Sequence, residues 1–185
     1  MLFRSLYEEI TLDLGTWLKR QHVFFVATSP LADDGFVNCS PKGMDSFRIL
    51  GPRQVAYLDL TGSGVETIAH VRENGRIVFM FCSFAGAPKI VRLHGTGDVF
   101  AAGSPGWYQL REHFPQHLGA RAIISASLTR ISDSCGFAVP QLEYVAPRDT
   151  LTRSHGVKGV AGLQKYRNEK NVRSLDGLPG LDPRP

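Results

Sequence analysis

The sequence predicts a mainly β protein with peripheral helices, whose strands form an antiparallel barrel. Short stretches that are apolar, or that alternate between apolar and polar residues, recur between residues 23 and 131, and turn-forming Gly, Pro, Asn or Asp residues separate them. Closing such strands into a barrel removes the exposed edges that an open sheet would leave. The few helical stretches do not alternate regularly with the strands, so a doubly wound parallel sheet is disfavoured.

Local spacing predicts the individual elements. An N-terminal helix is predicted from apolar residues that recur every four positions, namely Leu6, Ile10, Leu14 and Leu18. Two further helices are predicted, at residues 66–73, where Gly75 suits the stop, and at residues 104–113, where Ser104 can cap the first turn. The predicted strands are residues 23–28, 36–40, 47–50, 55–60, 76–84, 89–100 and 122–131.

The composition fits one globular domain in a reducing setting. The 185 residues are 43% hydrophobic and 21% charged, which is ordinary for a protein with a single core. No apolar run is long enough to span a bilayer, and Glu8 and Glu9 lie where a secretory signal would be apolar. Three irregularly spaced cysteines predict neither a disulfide framework nor a zinc site, so we expect a cytoplasmic protein that does not bind membranes.

The net charge of +4 comes from the C-terminal region. Residues 1–147 contain thirteen Lys or Arg and thirteen Asp or Glu, whereas residues 148–185 contain eight and four. We therefore expect a barrel domain over residues 1–146 and a basic, partly helical extension over residues 147–185, which has too few apolar residues for its own core. The extension has no Lys/Arg run with interleaved aromatic residues. A solvated tail that also meets acidic surface on a partner subunit is therefore favoured over a nucleic-acid-binding arm.

A Gly-rich turn between a predicted strand and a predicted helix is the best local motif. It reads Thr61-Gly62-Ser63-Gly64-Val65-Glu66-Thr67. Glycines allow successive backbone N–H groups to face one anion, the helix N-terminus adds partial positive charge, and the hydroxyls can donate to phosphate oxygens. We expect Gly64 to adopt a backbone conformation that only glycine takes easily. The segment lacks the Walker ending and the GxGxxG spacing, so a phosphate cradle and a structural turn capped by Ser63 or Thr67 are equally open at this point.

Other candidate residues for chemistry are few. Lys42 follows a predicted strand and could supply the positive charge that the Gly-rich turn lacks, although a solvent-facing lysine explains it as well. His113 and His117 are four residues apart, but Pro115 breaks the helical geometry that a shared metal would need. No Ser/His/Asp order or HExxH motif is present, so the sequence predicts no metal site and identifies no catalytic residue.

Four segments follow one another in the order strand and lysine turn, strand and Gly-rich turn, short helix, and Asn-Gly-Arg. They are Phe36-Val37-Asn38-Cys39-Ser40-Pro41-Lys42-Gly43, Tyr57-Leu58-Asp59-Leu60-Thr61-Gly62-Ser63-Gly64, Glu66-Thr67-Ile68-Ala69-His70 and Glu73-Asn74-Gly75-Arg76-Ile77. Together with the strands at 78–84 and 90–95, this order resembles the pyridoxamine 5'-phosphate oxidase-like flavoproteins. The likeness covers about residues 23–140. It implies a six-stranded antiparallel split β-barrel, a homodimer, and FMN bound at the dimer interface.

The resemblance also implies which residues bind FMN. The strand that carries Lys42 and the strand that carries Asp59 would lie along the flavin, and the Gly-rich turn would hold the phosphate, with Lys42 or Arg92 as the next candidates. A segment after the last long strand would pack against the flavin. The implied binding residues are Asn38, Ser40, Lys42, Leu58, Asp59, Thr61, Gly62, Ser63, Gly64, Thr67, Arg92, Ser134 and Cys135.

The chain departs from the named oxidases of this family at two places. Those oxidases begin the helix with an Arg-Lys pair, where this chain has Glu66-Thr67, and they end with an Arg-x-His segment and a terminal strand. Arg153-Ser154-His155 is similar to that segment, but it lies in the extension and no terminal strand is predicted. We therefore expect an FMN-dependent oxidoreductase for an unidentified small molecule, with negligible activity on pyridoxamine 5'-phosphate. A non-catalytic flavin or haem carrier and a deazaflavin-dependent reductase are the alternatives.

Overall fold

The computed structural model describes residues 5–183, which form one antiparallel sheet with four helices around it. The strands are β1 (Leu6–Tyr7), β2 (Phe24–Thr28), β3 (Asn38–Lys42), β4 (Phe47–Gly51), β5 (Gln54–Leu60), β6 (Arg76–Cys82), β7 (Ile90–Ala101) and β8 (Ala120–Ser134). The helices are α1 (Leu12–Lys19), α2 (Glu66–Asn74), α3 (Pro105–Leu110), which continues into a short 3₁₀ turn (Arg111–His113), and α4 (Thr150–Lys170).

The sheet curves into a barrel that stays open along one seam. The strand order is β3-β2-β6-β7-β8-β5-β4, with β1 added beside β8, and every pairing is antiparallel. β7 and β8 pair along nearly their whole length and join the two halves. The predicted fold class is confirmed, and the described residues contain eight strands where the resemblance implies six.

Alternating side chains build the core inside the barrel. Phe24, Tyr57, Phe79 and Phe81 are buried there, and the Phe24 and Phe81 rings stack with their centroids 5.4 Å apart. A smaller apolar cluster lies on the opposite face of β5, where α3 covers it. Both faces of β5 are therefore buried, which explains why this strand reads as an almost continuous apolar run.

The N-terminal helix begins later than predicted. α1 starts at Leu12, because the Thr11 hydroxyl caps it by accepting a hydrogen bond from the Leu14 N–H at 3.2 Å. Leu6 instead lies in β1 with 63% of its surface exposed, paired with Ser132 of β8. The four-residue spacing is correct for α1 itself, but it extends one turn too far towards the N-terminus.

The other predicted helix boundaries are close to those observed. α2 ends at Gly75, which adopts a left-handed conformation (φ 71°) and donates its N–H to the Val71 carbonyl at 3.0 Å. α3 begins at Ser104, whose hydroxyl accepts a hydrogen bond from the Trp107 N–H at 3.2 Å. Both ends use local capping chemistry, which is why spacing and residue type were sufficient to predict them.

The C-terminal region contains α4, and part of this region packs on the barrel of the same chain. α4 is interrupted at Gly159 (φ 62°), and its residues His155 and Leu163 are buried. The chain then turns back and buries Asn171 completely. The boundary predicted at residue 146 falls in the extended segment between β8 and α4, and the division into two parts stays a prediction. No helix within residues 5–183 is long and apolar enough to cross a membrane.

Candidate ligand site at the Gly-rich turn

Three side chains of β3 face inward at the open seam of the barrel. Directly paired residues of antiparallel strands share a face of the sheet. Val26 and Thr28 are buried on β2, and their direct partners are Ser40 and Asn38. Lys42 lies two residues further along β3 and points the same way. The strand predicted to lie along a flavin thus presents polar groups to the interior.

Five polar side chains, none of them a carboxylate, lysine or arginine, form a hydrogen-bonded network there, which we call the neutral network: Ser40, Asn38, Thr28, Thr67 and His70. The Ser40 hydroxyl lies 3.0 Å from the Asn38 side-chain oxygen. The Asn38 amide nitrogen donates to both Thr28 Oγ1 at 3.2 Å and Thr67 Oγ1 at 3.0 Å. Thr28 Oγ1 is 3.1 Å from Nδ1 of His70, whose ring is completely buried. The network therefore ties β3 to β2 and to the first turn of α2.

Three charged side chains form a second group beside it, which we call the charged cluster: Lys42, Asp59 and Arg121. Asp59 is 1% exposed and accepts from Arg121 Nε at 2.6 Å and from Lys42 Nζ at 3.4 Å. Burial alone would raise the pKa of the Asp59 carboxyl, but the two cations, Arg121 first, hold it below its usual value. The cluster carries one more positive than negative charge. Asp59 is engaged with both cations, so it is not a free carboxylate directed at a ligand.

The first half of the Gly-rich turn is anchored by the C-terminal helix. The Thr61 carbonyl accepts from His155 Nε2 at 2.9 Å, and the Thr61 hydroxyl accepts from Arg167 Nε at 2.8 Å while donating to the Gly119 carbonyl at 2.8 Å. A Cβ at Gly119 would lie 2.0 Å from Nδ1 of His155, so this close approach requires glycine. Thr61 is consequently engaged in protein contacts and is only 2% exposed.

The second half of the turn is more open. Ser63 is exposed. The residue before α2 is Val65, and no side chain caps the helix there, so the structural alternative, a turn capped by Ser63 or Thr67, is wrong. Our expectation for Gly64 is wrong, because this residue is not among those with positive φ. What does crowd Gly64 is the Glu66 carboxylate, since an added Cβ would lie 2.3 Å from its Oε2. A carboxylate of the chain itself therefore lies beside Gly64, just before α2 begins.

Four of the predicted binding residues lie elsewhere. Leu58 is buried in the smaller apolar cluster and cannot touch a ligand without repacking. Arg92 lies on the outer face of β7, between the inward-facing Val91 and Leu93, and donates to Ser134 Oγ at 3.0 Å. Cys135 is exposed at the end of β8. One copy of the chain does not bring Arg92, Ser134 and Cys135 together with the neutral network.

Two pockets are relevant to ligand access. A pocket of about 270 Å³ on the outside of the sheet is lined in part by Thr28, Val37 and His94, and so borders the neutral network. A larger pocket of about 680 Å³ lies beyond the other end of β6, where Trp17 and Tyr144 line it. None of the predicted binding residues lines this larger pocket.

No protein-family model matches the sequence. The pyridoxamine 5'-phosphate oxidase family protein ustO of Aspergillus flavus is 41% identical over 192 residues, which cover 95% of this chain and 77% of that protein. This chain belongs to the pyridoxamine 5'-phosphate oxidase family. The resemblance inferred from the order of four segments is thereby confirmed.

Solved structures share the fold of this family member at low identity. A single-residue variant of HupZ from Group A Streptococcus is 21% identical with a TM-score of 0.52, over 67% of this chain and 98% of that one. A candidate pyridoxamine 5'-phosphate oxidase of Lactobacillus delbrueckii is 16% identical with the same TM-score, over 70% and 98%. At these identities the two structures support the split-barrel fold and nothing further.

Sequence reasoning missed the residues that complete the site in this family member. Arg121 lies at the start of β8, and His155, Arg167 and Asn171 lie in the C-terminal region. The Asn171 amide donates to the carbonyl of the second residue of the turn at 2.9 Å. The only local sign was compositional, namely the excess of basic residues after residue 147.

Proposed function

We propose that this family member binds FMN with the phosphate at the open half of the Gly-rich turn and the flavin along β3, and that it oxidises or reduces a small molecule. The observation that carries the proposal is the convergence of three features in a single region: the neutral network, the charged cluster, and the N-terminus of α2. Bound FMN would supply the hydride and electron transfer, while the protein supplies binding and orientation. Ser63, Thr67 and Lys42 are the residues we expect to contact it.

The donor set suits a single phosphate. Lys42 and Arg121 together outweigh Asp59 by one positive charge, and the first turn of α2 adds backbone N–H groups and partial positive charge. The turn has no dinucleotide spacing, which favours FMN over FAD. Glu66 opposes an anion, so its side chain must swing away from Gly64 when the phosphate binds.

We also propose a homodimer. On the outer face of the sheet, the half-buried Phe25 and Met80 lie in one row with Arg92, and Val78 lies in the next row with His94. A second copy would cover these apolar side chains and bring its Arg92 towards the network of the first. In one copy the neutral network faces inward and Arg92 faces outward, so we expect one FMN to contact the network of one subunit and Arg92 of the other. Light scattering of the FMN-bound protein tests this, and a monomer would contradict it.

The substrate we propose is not pyridoxamine 5'-phosphate. Arg153 is exposed and pairs with Asp149 at 3.1 Å, whereas His155 is buried and donates to the Thr61 carbonyl. The two residues that mimic the family's Arg-x-His segment therefore do not converge on one ligand. Turnover of pyridoxamine 5'-phosphate at about 1 per second or faster would contradict this part of the proposal.

The free state of all three cysteines supports a reducing, cytoplasmic setting.

The test of the phosphate site compares FMN with riboflavin, which lacks the phosphate. Ser63→Ala removes one hydrogen bond to a charged oxygen, so FMN affinity should fall roughly ten- to a hundredfold while riboflavin affinity stays unchanged. Ser127→Ala, at an exposed position on β8, is the matched control and should change neither affinity. An equal loss for both ligands would show that the turn does not hold the phosphate.

Two measurements on the wild-type protein complete the test. Mass spectrometry of the cofactor released on denaturation should identify FMN, and a protein that stays colourless after soaking in FMN would contradict the proposal. Anaerobic addition of NADH or NADPH should bleach the flavin absorbance. FMN that binds but is never reduced would indicate a carrier instead of an enzyme.

A further inference from the structure

The segment after α4 reaches the neutral network through one carboxylate. Asp176 lies at the tip of a turn that is closed by hydrogen bonds between Ser174 and Leu178 and between Gly177 and Ser174. Its Oδ2 is 3.3 Å from Nε2 of His70, and its side chain is only 11% exposed. Its Oδ1 accepts from the Phe36 N–H at 3.0 Å, two residues before β3 begins. One C-terminal residue thus touches both α2 and the approach to β3.

The carboxylate determines the direction of every hydrogen bond that follows. A carboxylate only accepts a hydrogen bond, so in a neutral His70 imidazole Nε2 carries the proton and Nδ1 is the acceptor. The Thr28 hydroxyl must then donate to Nδ1, which leaves its lone pairs to accept from the Asn38 amide nitrogen. Asn38 is thereby oriented with its side-chain oxygen towards Ser40 and its second N–H towards Thr67.

This series of hydrogen bonds ends at Ser40, which is the group that faces the ligand. Ser40 donates its proton to the Asn38 oxygen, so the half-buried Ser40 hydroxyl offers only lone pairs to anything that binds along β3. The ring of a flavin carries one N–H donor between two carbonyl groups, and an acceptor on β3 is complementary to that N–H. The same Ser40 with its proton turned outward would be complementary to a carbonyl instead.

We propose that Asp176 is a positioning residue: it sets the hydrogen-bond direction of the neutral network so that Ser40 presents an acceptor to the flavin ring. This inference deepens the proposed FMN site and rests on it. The C-terminal segment, which is remote from the barrel in sequence, therefore helps to determine how the ring is held.

Asp176→Asn is the most direct test, because it keeps the shape and the acceptor for the Phe36 N–H. Its side-chain nitrogen would donate to Nε2 of a neutral His70, so the imidazole proton moves to Nδ1 and Thr28 accepts there. We expect the Thr28 hydroxyl then to donate to Asn38, whose amide turns over and leaves the Ser40 proton facing outward. Long-range ¹H–¹⁵N NMR of the imidazole should show an Nε2–H tautomer for His70 in the wild type and an Nδ1–H tautomer in the variant. FMN and riboflavin affinities should both fall roughly tenfold, since the affected contact is to the ring.

A second tail carboxylate supplies the control. Asp182 pairs with Arg72 at 3.7 Å and is 89% exposed, so Asp182→Asn removes the same charge without reaching the network. It should leave the tautomer and both affinities unchanged. Ser40→Ala should weaken both flavins as Asp176→Asn does, and the double variant should lose no more than either single variant, because both act through one oxygen. Thermal unfolding checks that each variant is folded, and Ser40→Ala provides the readout if Asp176→Asn is not.

The outcomes separate this inference from the function it rests on. A wild-type protein that binds neither flavin overturns both. Normal flavin binding by Asp176→Asn and by Ser40→Ala, with Ser63→Ala still selective for FMN, overturns the inference and leaves the proposed function standing. An Nδ1–H tautomer or a doubly protonated imidazolium form of His70 in the wild type also overturns it.

Discussion

The neutral network and the charged cluster are neighbours on β3, yet they depend on opposite physical conditions. In the neutral network, what matters is which group donates and which accepts in each hydrogen bond. The remote carboxylate of Asp176 can set these directions. In the charged cluster, what matters is charge balance, because two cations compensate the buried Asp59 carboxylate. Loss of one partner should therefore mainly change the hydrogen-bond directions in the neutral network, whereas in the charged cluster it should mainly lower the stability of the fold.

The largest effect should come from the charged cluster. Arg121→Leu leaves the Asp59 carboxylate buried with only Lys42 at 3.4 Å, so we expect a loss of about 3–5 kcal/mol in the free energy of unfolding. Urea denaturation measures it. Adding Asp59→Asn to Arg121→Leu should recover part of the loss, because no uncompensated charge remains, and a double variant less stable than the single one would contradict this explanation.

A smaller loss should follow in the neutral network. Thr28→Val keeps the shape and the strand preference but removes the hydroxyl that joins His70 to Asn38, so we expect a loss of about 1–3 kcal/mol. The same urea titration applies. If Thr28→Val destabilised the protein as much as Arg121→Leu does, the proposed difference between the neutral network and the charged cluster would be wrong.

The contrast should also appear in the dependence of stability on pH. Burial lowers the pKa of His155 below its usual 6.5, with smaller contributions from Lys158 and Arg167, and its unpartnered Nδ1 faces Gly119. The unfolded chain therefore binds a proton more readily, and stability should fall as the pH drops below about 6.5. Asp59 acts in a lower window, because its pKa is below 3.8: its contribution is complete above that value and is lost as the pH falls further.

Thermal unfolding between pH 7 and pH 5 tests the first window, and the loss should be smaller than that caused by Thr28→Val. His117, whose pKa is lowered by burial and by His155 and Arg111, contributes in the same direction. His155→Gln should flatten the profile between pH 7 and pH 5 while leaving the decline below pH 3.8 in place. An unchanged profile would show that His155 is not the group responsible.

The smallest effect should be a gain. Glu66→Gln removes the negative charge that lies beside Gly64 at the N-terminus of α2, so FMN affinity should rise roughly two- to fivefold, with riboflavin unaffected. Fluorescence titration with both ligands measures it. Glu112→Gln, an exposed acidic residue near α3, is the control. A weaker affinity for FMN in Glu66→Gln would show that Glu66 supports the site instead of competing for it.

The sequence by itself determined the features that depend on neighbouring residues. The stop at Gly75 and the cap at Ser104 are local patterns that the structure confirms, and the family match confirms the order of four segments. The strand predicted over residues 36–40 lies two residues later, at Asn38–Lys42, and the apolar Phe36 and Val37 are exposed before it. Where local signals competed, the prediction failed: the Thr11 cap decided the start of α1 against the spacing that included Leu6.

The tertiary structure alone decided which distant groups meet. Asp59 and Arg121 are 62 positions apart, and His70 and Asp176 are 106 apart, as are Thr61 and Arg167. Residue spacing reports which way a side chain points from its own helix or strand, but it carries no information on which remote charge or hydroxyl will lie opposite. Those partners meet because β5 pairs with β8, α4 packs on the Gly-rich turn, and the segment after α4 folds back over α2. Charge balance and hydrogen-bond direction at the site are therefore properties of the folded barrel.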